Sequence, residues 1–376
     1  VRSCEPEPGG LYAVVLEDTI VFPGGGGHPC DLGTVAGCRI VSARPGEGGS
    51  VLHILEEPVS GGVEVVLDWE RRRHFMQHHT AQHLLTAMAD KLFGWATTAM
   101  HLGLERSDVE LAVPHLGEDS LIPLEDAVNR KILERLPVRA GTVGRGDLEA
   151  MGVRSRRLPG EVVELRTIAI EGIDLNTCGG LHVRDTGEVQ VFSIEGTGQI
   201  RGGTRVFFAC GALALSRMEE RRARERRLSA ILTCGPAEHV ASVERLLERT
   251  REAGRLRSSL EEELAGFLAR DLAEQGSPAF FSRPGADAGF LRSVAAAWTE
   301  LRPEGMLLLT SGPGAGIFML AGPEAGTQAA GHALATALGG KGGGTGRLFR
   351  GSAPELPGMV EALRLLGEAR AGTGSR

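Results

Sequence analysis

The chain has 376 residues, 42% of them apolar and 24% charged, with a formal net charge of −7. That length supports two or three domains, each with its own core, and the acidic balance excludes a protein held to nucleic acid by overall charge. Six scattered cysteines (Cys4, Cys30, Cys38, Cys178, Cys210, Cys234) exclude a small disulfide framework and fit a reducing compartment. No signal peptide opens the sequence and no apolar run reaches a membrane-spanning length, so a cytoplasmic location is expected.

The first seventy residues read as short strands. Leu11–Leu16, Thr34–Ser42, Val51–Leu55 and Gly62–Leu67 are rich in Val, Ile and Leu, and Gly, Pro and Asp clusters separate them. This spacing predicts a small β-barrel or sandwich. Inside it lies Phe22-Pro23-Gly24-Gly25-Gly26-Gly27-His28-Pro29, where the missing Cβ atoms let a ligand approach the backbone N–H groups. No Lys-Ser/Thr follows, so this is not a Walker A loop, and a plain flexible turn is an equal reading.

Phe75–Phe93 carries apolar residues at helical intervals. On that helix His79 and His83 stand at i and i+4, with both imidazoles on one face about 6 Å apart along the axis. A hundred residues on, Cys178-Gly179-Gly180-Leu181-His182 repeats the three-residue gap with a thiol and an imidazole. Either pair alone is most simply two ordinary side chains; two such pairs together make the donor set of a tetrahedral zinc site. Thr80 occupies the position where a zincin helix needs its general-base glutamate, which argues against a metalloprotease. Around these pairs, Val109–Val113, Val162–Ile170, Glu188–Ile194 and Thr204–Cys210 are expected strands. Leu124–Arg135 is an expected helix ended by Pro137, and Asp185-Thr186-Gly187-Glu188 an expected turn. Interleaved elements of this kind make an α+β domain.

From Leu213 to Gln275 the pattern is helical and charged. The arginine-rich run Arg217–Arg227 could follow a phosphate backbone, but a solvated face laced by Glu–Arg pairs is the better reading. Leu246, Ala253, Leu260 and Phe267 repeat every seven residues, as in a short helical hairpin or coiled coil serving as spacer or dimer arm. After a Gly/Pro boundary near Gln275–Pro278, Ala279–Ser282, Met306–Thr310 and Gly316–Leu320 are expected strands, with helices over Leu291–Leu301, Gln328–Leu338 and Met359–Arg370. The segment Gly339-Gly340-Lys341-Gly342-Gly343-Gly344-Thr345-Gly346-Arg347 is expected to be a loop, mobile or suited to phosphate.

HTAQHLL followed by CGGLH resembles the zinc motifs of the alanyl-tRNA synthetase editing domain and its freestanding AlaX relatives. The Phe22–Pro29 segment is similar to that family's FYPEGGGQP, and GGKGGGTGR to the tail domain that follows editing. The order of motifs resembles the long AlaX form over nearly the whole chain. Three positions depart: Gly24 stands for Glu, His28 for Gln and Leu181 for Thr.

The resemblance implies an α+β protein with a small N-terminal β-barrel over residues 1–70, and a zinc-containing editing domain over 71–212. A helical spacer over 213–275 and a C-terminal α/β domain for tRNA binding or dimerisation over 276–376 would follow. It implies hydrolysis in trans of mischarged aminoacyl-tRNA, chiefly serine on alanine tRNA, in the cytoplasm, as a safeguard of translation. Zinc would sit on His79, His83, Cys178 and His182. His28 and Thr19 would act in catalysis, and Gly25, Gly26, Gly27, Lys341 and Arg347 would contact the substrate; a homodimer is a further expectation. A ligase is not expected, since editing and tail segments fill the chain. Two alternatives stand beside this: a non-catalytic tRNA-binding protein with structural zinc, and a thiol hydrolase using Cys178 with His182 as base.

Overall fold

A computed structural model describes residues 1–144, 146 and 164–373. It divides into two compact units, Val1–Arg227 and Leu228–Arg376. Four sheets and seven α-helices are present among the described residues, an α+β arrangement. None of the helices is long and apolar enough to cross a membrane.

The first unit opens with β1 (Ser3–Glu7), β2 (Leu11–Val15), β3 (Gly33–Val35), β4 (Cys38–Pro45), β5 (Val51–Leu55) and β6 (Val65–Leu67), which form one antiparallel sheet in the order β1-β2-β5-β4-β3-β6. The expected barrel is not found: among the described residues β1 and β6 are open edges. The reason lies in Thr34–Ser42, which is not one strand. Ala36 and Gly37 adopt φ of 52° and 81°, the two-residue turn that matches strand twist, and split the segment into a hairpin. The resulting β3 and β6 are three residues each, too short a ladder to close the sheet.

Helix α1 (Trp69–Phe93) follows, then β7 (Thr97–His101), β8 (Ser107–Leu111), α2 (Glu118–Leu133), β9 (Val138–Gly144), β10 (Glu164–Ile170), β11 (Asp174–Thr177), β12 (Phe192–Ile200), β13 (Gly203–Cys210) and α3 (Gly211–Leu232). Two sheets result, β11-β10-β9 and β12-β13-β8-β7, all antiparallel. The expected strand from Val162 begins outside the described residues. The one expected over Glu188–Ile194 starts only at Phe192, because Thr186–Val189 is a 3-10 turn. Asp185 caps that turn by accepting from Gly187 N at 2.8 Å, and Thr186 donates to Lys131 O at 2.6 Å. Ala81, Leu84, Leu85 and Met88 of α1 pack with Leu124, Val128 and Ile132 of α2 and with Phe192 and Phe208 of the sheet. Each of the larger side chains, the leucines, Met88, Val128, Ile132 and the phenylalanines, contributes about 1.5–3 kcal/mol by leaving water.

The second unit contains α4 (His239–Gln275), β14 (Ala279–Ser282), α5 (Ala288–Leu301), β15 (Leu307–Thr310), β16 (Gly314–Ala321), α6 (Thr327–Ala337), β17 (Lys341–Thr345), β18 (Leu348–Leu356) and α7 (Met359–Thr373). Its sheet runs β14-β15-β16-β18-β17, with β14 and β15 parallel and the rest antiparallel. Period-two alternation feeds both faces: Leu307 and Leu309 pack with α5 and the end of α4, Leu308 with α6 and α7. The glycine-rich segment expected as a loop is the edge strand β17, since Lys341–Thr345 pair with Leu348–Ser352 across a tight turn. On α4 the heptad residues Leu246, Leu260 and Phe267 are exposed, and the buried stripe is Ala265, Ala269 and Leu272.

Candidate metal centre

Helix α1 starts where Asp68 accepts the Arg71 N–H at 3.0 Å and stops where Gly94 turns left-handed at φ 68°. Every residue from Gln77 to Ala89 is buried, so the helix is enclosed around its circumference rather than along one stripe. Polar side chains in such a place must be bonded. Gln77 donates to Glu188 O at 2.8 Å. His78 donates from Nδ1 to His74 O at 2.8 Å and accepts the Cys210 N–H at Nε2 at 3.3 Å. Burial lowers the His78 pKa to about 3, so it is a neutral core histidine.

His79 and His83 on this helix meet Cys178 and His182, which lie in the loop after β11. All four donor atoms lie within 4.8 Å of one another, and Cys178 Sγ is 3.4 Å from Nε2 of both His79 and His182. The loop is shaped for this: Arg166 on β10 donates to Cys178 O at 2.8 Å and to Gly180 O at 2.7 Å. Gly180 has the His79 ring directly against its backbone.

Each histidine has a second partner that fixes which nitrogen is free for an ion. His83 Nδ1 faces Asp174 Oδ2 at 3.0 Å; His182 Nδ1 faces the Thr80 hydroxyl at 3.1 Å, and that hydroxyl donates to Met76 O at 3.0 Å. His79 Nδ1 faces His28 Nδ1 at 3.1 Å. Burial opposes charge on His83, yet Asp174 and Cys178 outweigh it and raise its pKa to about 9. For Cys178 burial raises the thiol pKa, but His83, the Gly180 N–H and Arg166 bring it down, towards the thiolate a metal requires. Three imidazoles and a thiol with supported orientations fit a resident divalent metal. A second group, His101, Asp108 and Glu110, is exposed at one end, and Arg205 already pairs with both carboxylates.

The donors border a cavity of about 210 Å³ lined by Gly26, His79, Gln82, His83, Met100, Asn176, Thr177, Cys178 and Gly179. Gly26 of the four-glycine run therefore reaches the site. Gly25 and His28 instead close a tight turn on themselves, with N–H to O distances of 2.9 and 3.0 Å, and Gly27 abuts Met100. His28 is buried, and its ring lies against His79 rather than in the cavity lining. Burial, with Asp31 opposing and Arg72 adding, lowers its pKa to about 4. Thr19 is not among the lining residues: its hydroxyl lies 2.8 Å from Nε2 of the buried His53, whose Nδ1 donates to Val14 O at 3.0 Å. Lys341 and Arg347 belong to the second unit, on and just after β17. The arginine run on α3 makes exposed pairs, Arg217–Glu220, Arg221–Glu195 and Arg226–Glu219.

With that geometry in view, the profile of the threonyl and alanyl tRNA synthetase second additional domain matches residues 165–228, the stretch that holds Cys178 and His182. Alanyl-tRNA editing protein Aarsd1 of Mus musculus is 37% identical over 367 residues, covering 94% of this chain and 88% of its own length. The chain belongs to the alanyl-tRNA editing protein family. The Danio rerio member of that family is 34% identical over 95% of this chain and 88% of its own length. Alanine–tRNA ligase of Thermococcus kodakarensis is 32% identical over 278 residues, 70% of this chain but only 30% of the ligase. For an editing-family protein, the parts that the sequence leaves unmarked are Asp174, Arg166 and His53. Thr80 had a signal, since it replaces the residue a zincin would use there.

Proposed function

We propose that this protein hydrolyses the ester of mischarged aminoacyl-tRNA, above all serine on alanine tRNA, with zinc on His79, His83, Cys178 and His182. The observation that carries the reading is the convergence of these four donors beside a cavity, in a chain of the alanyl-tRNA editing family. Zinc bonds of about 2.0–2.1 Å to nitrogen and about 2.3 Å to sulfur give a tetrahedral N–S edge of about 3.5 Å. The Cys178 distances of 3.4 Å fit that edge. When bound, zinc supplies Lewis acidity toward an ester and water.

The chain's own residues do the rest. Gly26 and Gly179 admit the ester without Cβ atoms in its path. Neutral His28 holds His79 by its Nδ1, which would leave the other ring nitrogen free to ligate a bound ion. Thr80 and Asp174 do the same for His182 and His83. Lys341 and Arg347 are cations for tRNA phosphates. A second reading has its own support: four protein donors fill a tetrahedron, and closed sites are usually structural. On that reading the protein binds tRNA and leaves the ester intact.

The deciding experiment is serine release from seryl-tRNA of alanine identity, with alanyl-tRNA in parallel, before and after chelation and in His79→Ala and Cys178→Ala. Serine release that disappears with the metal and with either variant, alanine being spared, is the expected result. Tight, salt-sensitive tRNA binding without release would establish the structural reading instead.

A further inference from the structure

Hydrolysis that spares alanine needs a group that recognises the one atom serine adds, its hydroxyl oxygen. A site with a buried hydrogen-bonding partner for a hydroxyl rejects the analogue that lacks it, because the partner is left unpaired. Thr19 is poorly placed for this. Its proton is engaged by His53 Nε2 at 2.8 Å, its oxygen accepts Val21 N–H at 3.2 Å, and it does not line the cavity.

Gln82 lies on α1 between the two histidine donors and lines the cavity together with His79, His83 and Cys178. It is only 4% exposed. Its Nε2 donates to Thr86 Oγ1 at 2.8 Å, and Thr86 Oγ1 also accepts from Thr97 Oγ1 at 3.3 Å, so the amide is anchored to the helix and to β7. No described residue donates to Oε1. The other polar side chains of the lining, Asn176 and Thr177, sit half-exposed on the edge strand β11 and carry no comparable anchor. We infer that Gln82 is the specificity residue of this site, its Oε1 accepting the hydroxyl proton of a seryl ester. This rests on the hydrolase reading above for its substrate class. Oε1 opens to the cavity, so an alanyl or glycyl group that fills the cavity would exclude water from that oxygen and offer it no donor in return, a penalty that the seryl hydroxyl avoids.

The test is binding, so that it does not depend on turnover. Seryl, alanyl and glycyl amides of 3′-amino-3′-deoxyadenosine resist hydrolysis and are titrated calorimetrically into the zinc-loaded full chain, with metal content measured for each protein. The wild type should bind the seryl probe about 10- to 100-fold more tightly than the alanyl or glycyl probe. Gln82→Leu should weaken the seryl probe alone and erase the preference. Gln82→Glu, which keeps an acceptor at that place, should retain it and shows that the position tolerates change. Equal weakening of all three probes in Gln82→Leu, a preference that survives that change, or a wild type that does not distinguish the probes would each overturn the assignment. Seryl-tRNA hydrolysis is followed in parallel. A seryl preference governed by Gln82 without ester cleavage would sink the hydrolase reading and leave this one standing.

Discussion

Gly180 offers the sharpest test of the metal centre, because its neighbour Gly179 is a built-in control. An alanine Cβ at position 180 stands 2.5 Å from His79 Nδ1, closer still to Cε1, and 3.2 Å from His28 Cβ. Ordinary contact begins near 3.4 Å, so the His79 ring or the loop must move by about 0.9 Å at Nδ1 alone. Metal–ligand distances tolerate only about ±0.2 Å. The displaced ring also loses its partner His28, and losing an outer-shell partner typically costs about 10- to 100-fold in metal affinity. Gly180→Ala should therefore bind zinc at least about tenfold more weakly. A Cβ at Gly179 meets nothing within 4 Å, so Gly179→Ala should bind as the wild type does. Competition titration against a chromophoric chelator reads both affinities, and melting of the metal-free proteins shows whether folding differs. Wild-type zinc affinity in Gly180→Ala, or equal losses at both positions, would refute the packing argument.

Asp174→Asn exchanges a carboxylate for an amide at His83 Nδ1; metal affinity should fall about 10- to 100-fold by the same titration, with less of the thermal stabilisation that added zinc confers. Thr80→Val removes the hydroxyl that orients His182 and leaves Nδ1 of that half-buried ring without its partner. A loss of about 1–3 kcal/mol in urea unfolding and weaker zinc binding are expected, both restored by Thr80→Ser. Burial holds the His53 pKa below the ordinary 6.5, with the Val14 carbonyl opposing. Below that pH the unfolded chain takes up a proton that the folded chain refuses, so stability falls as pH drops from about 6.5, by at most about 1.4 kcal/mol per unit for this group. His53→Gln should make the decline between pH 7 and 5.5 shallower, and an unchanged slope in denaturation at several pH values would count against it.

The two pairs at i and i+4 were legible because each pair is local: a short spacing is enough to name His79, His83, Cys178 and His182. Their supports were not. Asp174 and Arg166 reach the site only through the pairing of β10 with β11, which no spacing reveals; His28 was marked by the family resemblance, but its place against His79 rather than in the cavity lining was not. Among elements, Ala279–Ser282 matches its expected bounds because an aromatic pair between Gly/Pro breakers is a strong strand signal. The apolar period begins only at Phe75, six residues after α1 starts at Trp69, since the Asp68 cap precedes any apolar repeat. The expected barrel failed at one dipeptide, Ala36-Gly37, whose left-handed turn divides a continuous apolar run.

The β17–β18 hairpin has a consequence for how tolerance to substitution would be read. At Gly342 an added methyl would stand 2.5 Å from Arg350 O, and at Gly344 it would collide with Leu348 O, whereas Gly343 between them meets nothing. A saturation scan scored on growth or solubility would thus show an alternating pattern, intolerant at 342 and 344 and permissive at 343. Ranked by intolerance alone, the two crowded glycines would stand beside the histidine and cysteine donors. Their veto would come from a neighbouring strand's carbonyls, not from any phosphate, and only the silent residue between them would reveal the difference.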